Sequence, residues 1–190
     1  MPQVLTAGHS TRTGAELVEL LAEHRVELLV DVRRFPGSRR HPQFARAALA
    51  ASLATAGIDY LHEADLGGRR QPRPDSPHTA WRVAAFRGYA DYMETPELAA
   101  ALARLLNLAA ARIVAILCAE AVPWRCHRRL IADALVARGI AVRHILAPGR
   151  SQLHELDPNA RVLADGRLVY DAGAAAAGGA NLPLFTGPQG

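Results

Sequence analysis

The sequence contains no lysine: all 22 of its basic residues are arginine. Cysteine, methionine and tryptophan occur twice each, and aromatics make up only 5% of the chain. No apolar run approaches the ~20 residues that a membrane-spanning helix needs, so no membrane partner is expected. Two cysteines are too few for a disulfide framework. The opening MPQVLTAGHS runs straight into a strand-like stretch without a secretion-signal pattern. The expected location is therefore the cytoplasm, with both cysteines as reduced thiols. An alanine-rich, lysine-free composition is what GC-rich coding produces. No single arginine can then be read, from its type alone, as chosen for bidentate phosphate binding. The net charge of +4 permits an anionic partner without requiring one.

Half of the 190 residues are apolar, enough for one domain with a real core. Strand-like and helix-like runs alternate. Residues 4–7 lead into Gly8, His9 and Ser10, and Thr13 and Glu16 have capping-box spacing ahead of a helix. Residues 28–32 end at Asp31 and Arg33 and run into an arginine-rich loop. A helix over 44–56 stops at Gly57, and a third strand over 58–61 leads to His62, Glu63, Gly67 and Gly68. Residues 71–77 hold three prolines and read as a loop. Helices are expected over 81–93 and from Thr95-Pro96-Glu97 onward, where cap, first-position proline and first-turn acid fall in place. Strands at 113–117 and 141–146 flank a helix running from about Trp124 to Gly139. This alternation predicts an α/β fold, with a mostly parallel sheet of about five strands and helices on both faces.

The expected division is a single α/β domain over 1–171, with its core at 4–147 and an extension at 154–171. Asp165-Gly166 marks a hairpin in that extension. Residues 172–180, AGAAAAGGA, read as a flexible linker ahead of a tail ending at 190.

The chemistry concentrates in 113–129. Cys118 and Glu120 leave the end of the central strand, and Cys126, His127 and Arg128 are expected in the first turn of the next helix. In open parallel sheets ligands bind at that carboxyl edge, and a helix N-terminus there favours anions and depresses a thiol's pKa. With right-handed crossovers, the polar ends of four strands share this edge, so Asp31, Arg33, Glu120, Cys126, His127 and Arg128 are expected to line one pocket. The plainer possibility is that either cysteine is a small buried hydrophobe and that Asp31–Arg33 and Glu120–Arg128 are internal ion pairs.

GHST, VDVRRFPGSRR followed by PQF, LGGRR, and above all CAE with PWRCHRR resemble, in that order, a bacterial family catalogued as domain of unknown function 488. The resemblance spans roughly 4–170. It implies a compact α/β protein and no established reaction. The motif positions it picks out are Gly8, His9, Ser10, Asp31, Arg33, Pro36, Ser38, Phe44, Gly67, Gly68, Cys118, Glu120, Cys126, His127 and Arg128.

Cysteine-phosphatase and rhodanese cradles fit these residues poorly: Glu120 would repel an anion beside Cys118, and Arg125 comes one position late for the phosphatase spacing. Zinc on Cys118, Cys126, His127 and His62 lacks a standard knuckle spacing, so neither metal nor cofactor is expected. The expectation is acid–base hydrolysis of a nucleotide or nucleic acid. Asp31, Glu120, His127 and Cys126 are the catalytic candidates. His9, Ser10, Arg33, Ser38, Arg39, Gly67, Gly68, Cys118 and Arg128 are the substrate-binding candidates. The alternatives are sulfur transfer or thiol redox chemistry at Cys118 and Cys126, and a non-catalytic binding adaptor. Asn181-Leu182-Pro183-Leu184-Phe185 resembles the Gln-Leu-x-Leu-Phe peptide that docks repair proteins on the sliding clamp, with Leu182, Leu184 and Phe185 as anchors. That points to DNA maintenance.

Overall fold

The computed structural model describes residues 3–37 and 40–171. Ser38, Arg39 and the proposed clamp peptide at 181–185 lie outside the described residues. Strands and helices alternate: β1 (Gln3–Gly8), α1 (Gly14–Glu23), β2 (Leu28–Asp31), α2 (Arg46–Thr55), β3 (Asp59–His62), α3 (Ala84–Tyr92), α4 (Pro96–Ala111), β4 (Val114–Cys118), α5 (Arg128–Val136) and β5 (Ala141–Ala147). Then come β6 (Arg150–Leu153) and the hairpin β7 (Ala160–Val162) with β8 (Leu168–Tyr170).

Local signals account for most boundaries. Thr13 accepts from the Glu16 amide while the Glu16 carboxylate accepts from the Thr13 amide, a complete capping box. Thr95 caps α4 ahead of Pro96. Gly57 and Gly139 follow α2 and α5 with φ of +72° and +76°, the left-handed turn that glycine makes at least cost.

The main sheet has the order β3-β2-β4-β1-β5-β6. Its first five strands are parallel, and β6 is added antiparallel to β5. The sheet is thus one strand wider than expected. The polar run Arg150–Leu153 carries little apolar signal; what makes it a strand is the turn at Gly149 and an open edge on β5. Alternation divides the core. Val4, Val30, Val114, Ile116 and Val142 face α3, α4, α5 and Tyr170 of the hairpin. Leu5, Ala7, Leu29, Ala115, Leu117 and Ile145 face α1 and α2. Each fully buried leucine on these faces contributes roughly 1.5–3 kcal/mol.

The chain leaves β1 toward β2, beyond β4, and leaves β4 toward β5, beyond β1. Those connections leave the β1–β4 pair on opposite sides of the sheet, the switch point at whose carboxyl end open sheets bind ligands. Here the Glu120 carbonyl and the Arg128 guanidinium pack against Gly8 at that end. Among the described residues, no helix is long and apolar enough to cross a membrane.

Candidate active site at the carboxyl edge

The expected helix from Trp124 begins later. Pro123–Arg125 form one 3-10 turn, Cys126 is extended, and His127 is the N-cap of α5. This break turns the Cys126 thiol toward Cys118 instead of leaving it in a helical turn. The His127 Nδ1 lies 3.8 Å from Cys118 Sγ and 3.7 Å from Cys126 Sγ. The three donor atoms are all within 4.8 Å of one another. On its far side the ring donates from Nε2 to the Val32 carbonyl at 3.2 Å, which fixes its orientation. Both thiols are free and buried. The hydrogen bond with Cys126, with burial, pushes the Cys118 thiol well above its ordinary range. Burial also opposes ionisation of Cys126. The hydrogen bonds from Cys118 and His127 and the positive charges of His127 and Arg128 outweigh it and hold Cys126 well below. Of the two thiols, Cys126 is the one that ionises first.

Asp31 lies elsewhere. In register it pairs with Leu117 and shares the α1–α2 side, while Cys118 is one residue on and faces α5. The expected single pocket is therefore two clusters, one on each side of the sheet edge. The Asp31 carboxylate is fully buried. It accepts from Arg33 Nε at 2.8 Å and Nη2 at 2.5 Å, from the Arg33 amide at 3.1 Å and from the Tyr60 hydroxyl at 2.8 Å. Both oxygens are taken, and the Arg33 guanidinium is committed to the pair. Arg33 Nη1 reaches His9 Nε2 at 3.4 Å, and the His9 ring stacks on Phe44 with centroids 4.2 Å apart. Burial lowers the His9 pKa to about 4, assisted by the Arg33 charge. Ser10, at φ +49°, ties its amide to the Ala119 carbonyl at 2.9 Å. His62 is held by the Arg33 carbonyl at 2.8 Å and does not join the thiols.

Arg128 is also internal, at 1% exposure. It donates to the Glu120 carbonyl at 2.6 Å and to Thr6 Oγ1 at 3.1 Å. Its amide approaches Cys126 Sγ at 3.5 Å. A chain of buried side chains continues from Thr6 to His144 at 2.8 Å, His144 to His154 at 2.9 Å and His154 to Asp133 at 2.9 Å. With Arg128 the donor at one end and Asp133 the acceptor at the other, one donor direction satisfies every link with both imidazoles neutral. Tyr170 of the hairpin donates to the other Asp133 oxygen at 2.9 Å. Burial above all, then the neighbouring His154 ring and the Arg128 charge, lowers the His144 pKa to about 3. Sequence reasoning missed Thr6, Asp133, His144, His154 and Tyr170. Polar residues at apolar positions of a strand and a helix were the available signal.

Gly67 and Gly68 serve close packing. A Cβ at Gly68 would lie 2.9 Å from His127 Nδ1, and one at Gly67 would lie 2.8 Å from the Arg34 Cα. What faces solvent on this edge is Glu120, Trp124 and Arg125 after β4, Arg34 and Phe35 after β2, and Arg69 after β3. Phe35 and Trp124 are 65% and 52% exposed, and Arg34 bonds the Arg69 carbonyl at 3.2 Å. Among the described residues the Glu120 carboxylate makes no hydrogen bond or ion pair. An open cavity of about 840 Å³ lies at the opposite, amino-terminal edge, lined in part by Gln3, His24, Ile113 and Arg143.

Residues 13–135 match the family model described as "Domain of unknown function DUF488". The chain belongs to this family. The matched span of the DUF488 domain runs from the cap of α1 into α5 and takes in the Asp31–Arg33 pair and the whole Cys118–Cys126–His127 cluster. It stops short of His144, His154 and Tyr170, which complete the buried chain from the C-terminal side. Comparison with curated proteins and with solved structures gave no match.

Proposed function

We propose that the protein is a hydrolase acting on a nucleotide or nucleic acid, with Glu120 as the acid–base group. The observation that carries this reading is the Glu120 carboxylate. It is exposed and unpaired among the described residues, on a loop whose carbonyl is pinned by Arg128, two residues beyond Cys118 at the carboxyl end of the β1–β4 pair. A carboxylate kept free beside a fixed frame is what general acid–base catalysis requires. Asp31 is already neutralised by Arg33, which leaves Glu120 as the working acid of the two expected.

The substrate class rests on the rim. Phe35 and Trp124 are exposed large aromatics in a chain poor in them, and Arg34, Arg69 and Arg125 are exposed beside them. Base stacking on aromatics with arginines along the phosphates is how single strands are held without sequence readout. Arg33 and Arg128, expected as phosphate clamps, are consumed internally, so the exposed arginines take that part. The link to DNA maintenance rests on the 181–185 peptide, and the cytoplasmic location on two free thiols in a reducing compartment.

The test is hydrolysis of nucleotides and single-stranded oligonucleotides by the wild type and Glu120→Gln. Glu120→Gln should lower kcat by about 10²–10⁴-fold with an unchanged melting temperature. Binding should weaken with salt, and Arg69→Ala should reduce the salt slope by about 1. Activity indifferent to Glu120→Gln refutes the assignment. Salt-dependent binding with no turnover would leave the adaptor reading. Sulfur transfer or thiol redox chemistry at Cys118 and Cys126 is the remaining alternative, and the burial of both sulfurs counts against large disulfide substrates.

A further inference from the structure

We infer that Cys118, Cys126 and His127 form a binding site for one zinc ion, with a fourth coordination position left for water or substrate. The distances carry this. A tetrahedral ion with about 2.3 Å bonds to sulfur and about 2.05 Å to nitrogen sets sulfur–nitrogen edges of roughly 3.6 Å. The two sulfur–nitrogen distances are 3.8 and 3.7 Å, so both of these edges match such a tetrahedron, and the sulfur–sulfur edge is within 4.8 Å.

The surroundings are those of a metal ligand set. The His127 Nε2–H is spent on the Val32 carbonyl at 3.2 Å. This fixes the ring so that Nδ1, and no other atom, faces the sulfurs, the outer-shell arrangement that orients a metal-bound imidazole. Both sulfurs converge on that single nitrogen. An ion uses all three donors at once. Gly68 leaves open the space beside Nδ1, where a Cβ would lie 2.9 Å away. The Arg128 amide, 3.5 Å from Cys126 Sγ, supplies an N–H to a coordinated thiolate. Two thiolates and an imidazole suit zinc by softness, and together with a divalent cation they leave no net charge to bury. His62, a candidate fourth ligand by sequence, is engaged by the Arg33 carbonyl. Three protein ligands with one open position are the pattern of catalytic rather than structural zinc sites. When bound, the ion would lower the pKa of a water in that open position, the nucleophile that the proposed hydrolysis needs. That last point alone rests on the hydrolase reading.

The experiment uses the full chain. It is purified with zinc present, desalted, and its metal content measured; a second sample is stripped and titrated with Co²⁺. One zinc per chain is expected, with thiolate-to-cobalt charge-transfer absorption and tetrahedral d–d bands. Cys126→Ser should lose these bands, and His62→Ala should keep them. In mild urea, which opens the buried site, both thiols should react faster with a disulfide reagent in the stripped protein than in the zinc form. A folded wild type that binds no zinc, gives no thiolate–cobalt band and exposes both thiols equally with and without zinc overturns the site. Full metal binding by a folded Cys126→Ser variant does the same. Should that variant fail to fold, the wild-type cobalt spectrum decides alone. Metal bound with no hydrolysis by the wild type removes the hydrolase reading and leaves the site standing; hydrolysis by a protein that binds no metal does the reverse.

Discussion

Acid should loosen this fold well before its carboxylates protonate, because two imidazoles are buried in their neutral form. His144 sits between Thr6 and His154 with the Arg128 guanidinium one link away. His9 sits between Arg33 and Phe44. Their pKa values fall from 6.5 to about 3 and about 4. A depressed histidine pKa means that the unfolded chain takes up the proton first. The stabilisation is therefore present above 6.5 and is lost as pH falls toward the folded value. Between pH 7 and pH 5 each histidine accounts for about 2 kcal/mol of lost stability, on the order of 4 kcal/mol together. That is a large part of the 5–15 kcal/mol typical of a domain. Urea unfolding at pH 7, 6 and 5 measures it. His144→Gln keeps one donor and one acceptor in the chain but cannot titrate, so its stability should fall about 2 kcal/mol less over that interval than the wild type's. Equal pH slopes for the two proteins, or a wild-type loss under about 1 kcal/mol, would show that the buried imidazoles do not control acid stability.

Arg33→Met should cost about 3–5 kcal/mol in urea unfolding, because it leaves the buried Asp31 carboxylate without its cation. The double change Asp31→Leu with Arg33→Met should cost clearly less; an equal or greater loss would refute the pairing argument. Gly8→Ala places a Cβ 1.8 Å from the Glu120 carbonyl and 2.8 Å from Arg128 Nη2. The loop must shift, so a stability loss of about 1–3 kcal/mol and a lowered kcat are expected together. Unchanged thermal unfolding would show that the loop after β4 tolerates displacement.

The sequence alone determined most of the fold. Alternating helix-like and strand-like periods, the Thr13 and Thr95 caps, the glycines after α2 and α5 and the Asp165-Gly166 hairpin are local signals, legible in a window of a few residues. It also placed the polar strand ends on one edge, since parallel strands joined by crossovers leave no other arrangement. Pairing register decided the rest. Asp31 aligns with Leu117 and Cys118 is one residue further, so Asp31 lies across the sheet from the cluster that Cys126 and His127, expected in one pocket with it, form with Cys118. The same long-range packing turned Arg33 and Arg128 inward, where Asp31, Thr6 and the Glu120 carbonyl meet them. It also carried Cys126 and His127 across to Cys118 through a 3-10 turn that helical spacing had not marked. Strand β6 became a strand only because β5 offered an edge. Side-chain identity and period are properties of the chain; which face a residue meets, and what waits there, depends on partners a hundred residues away.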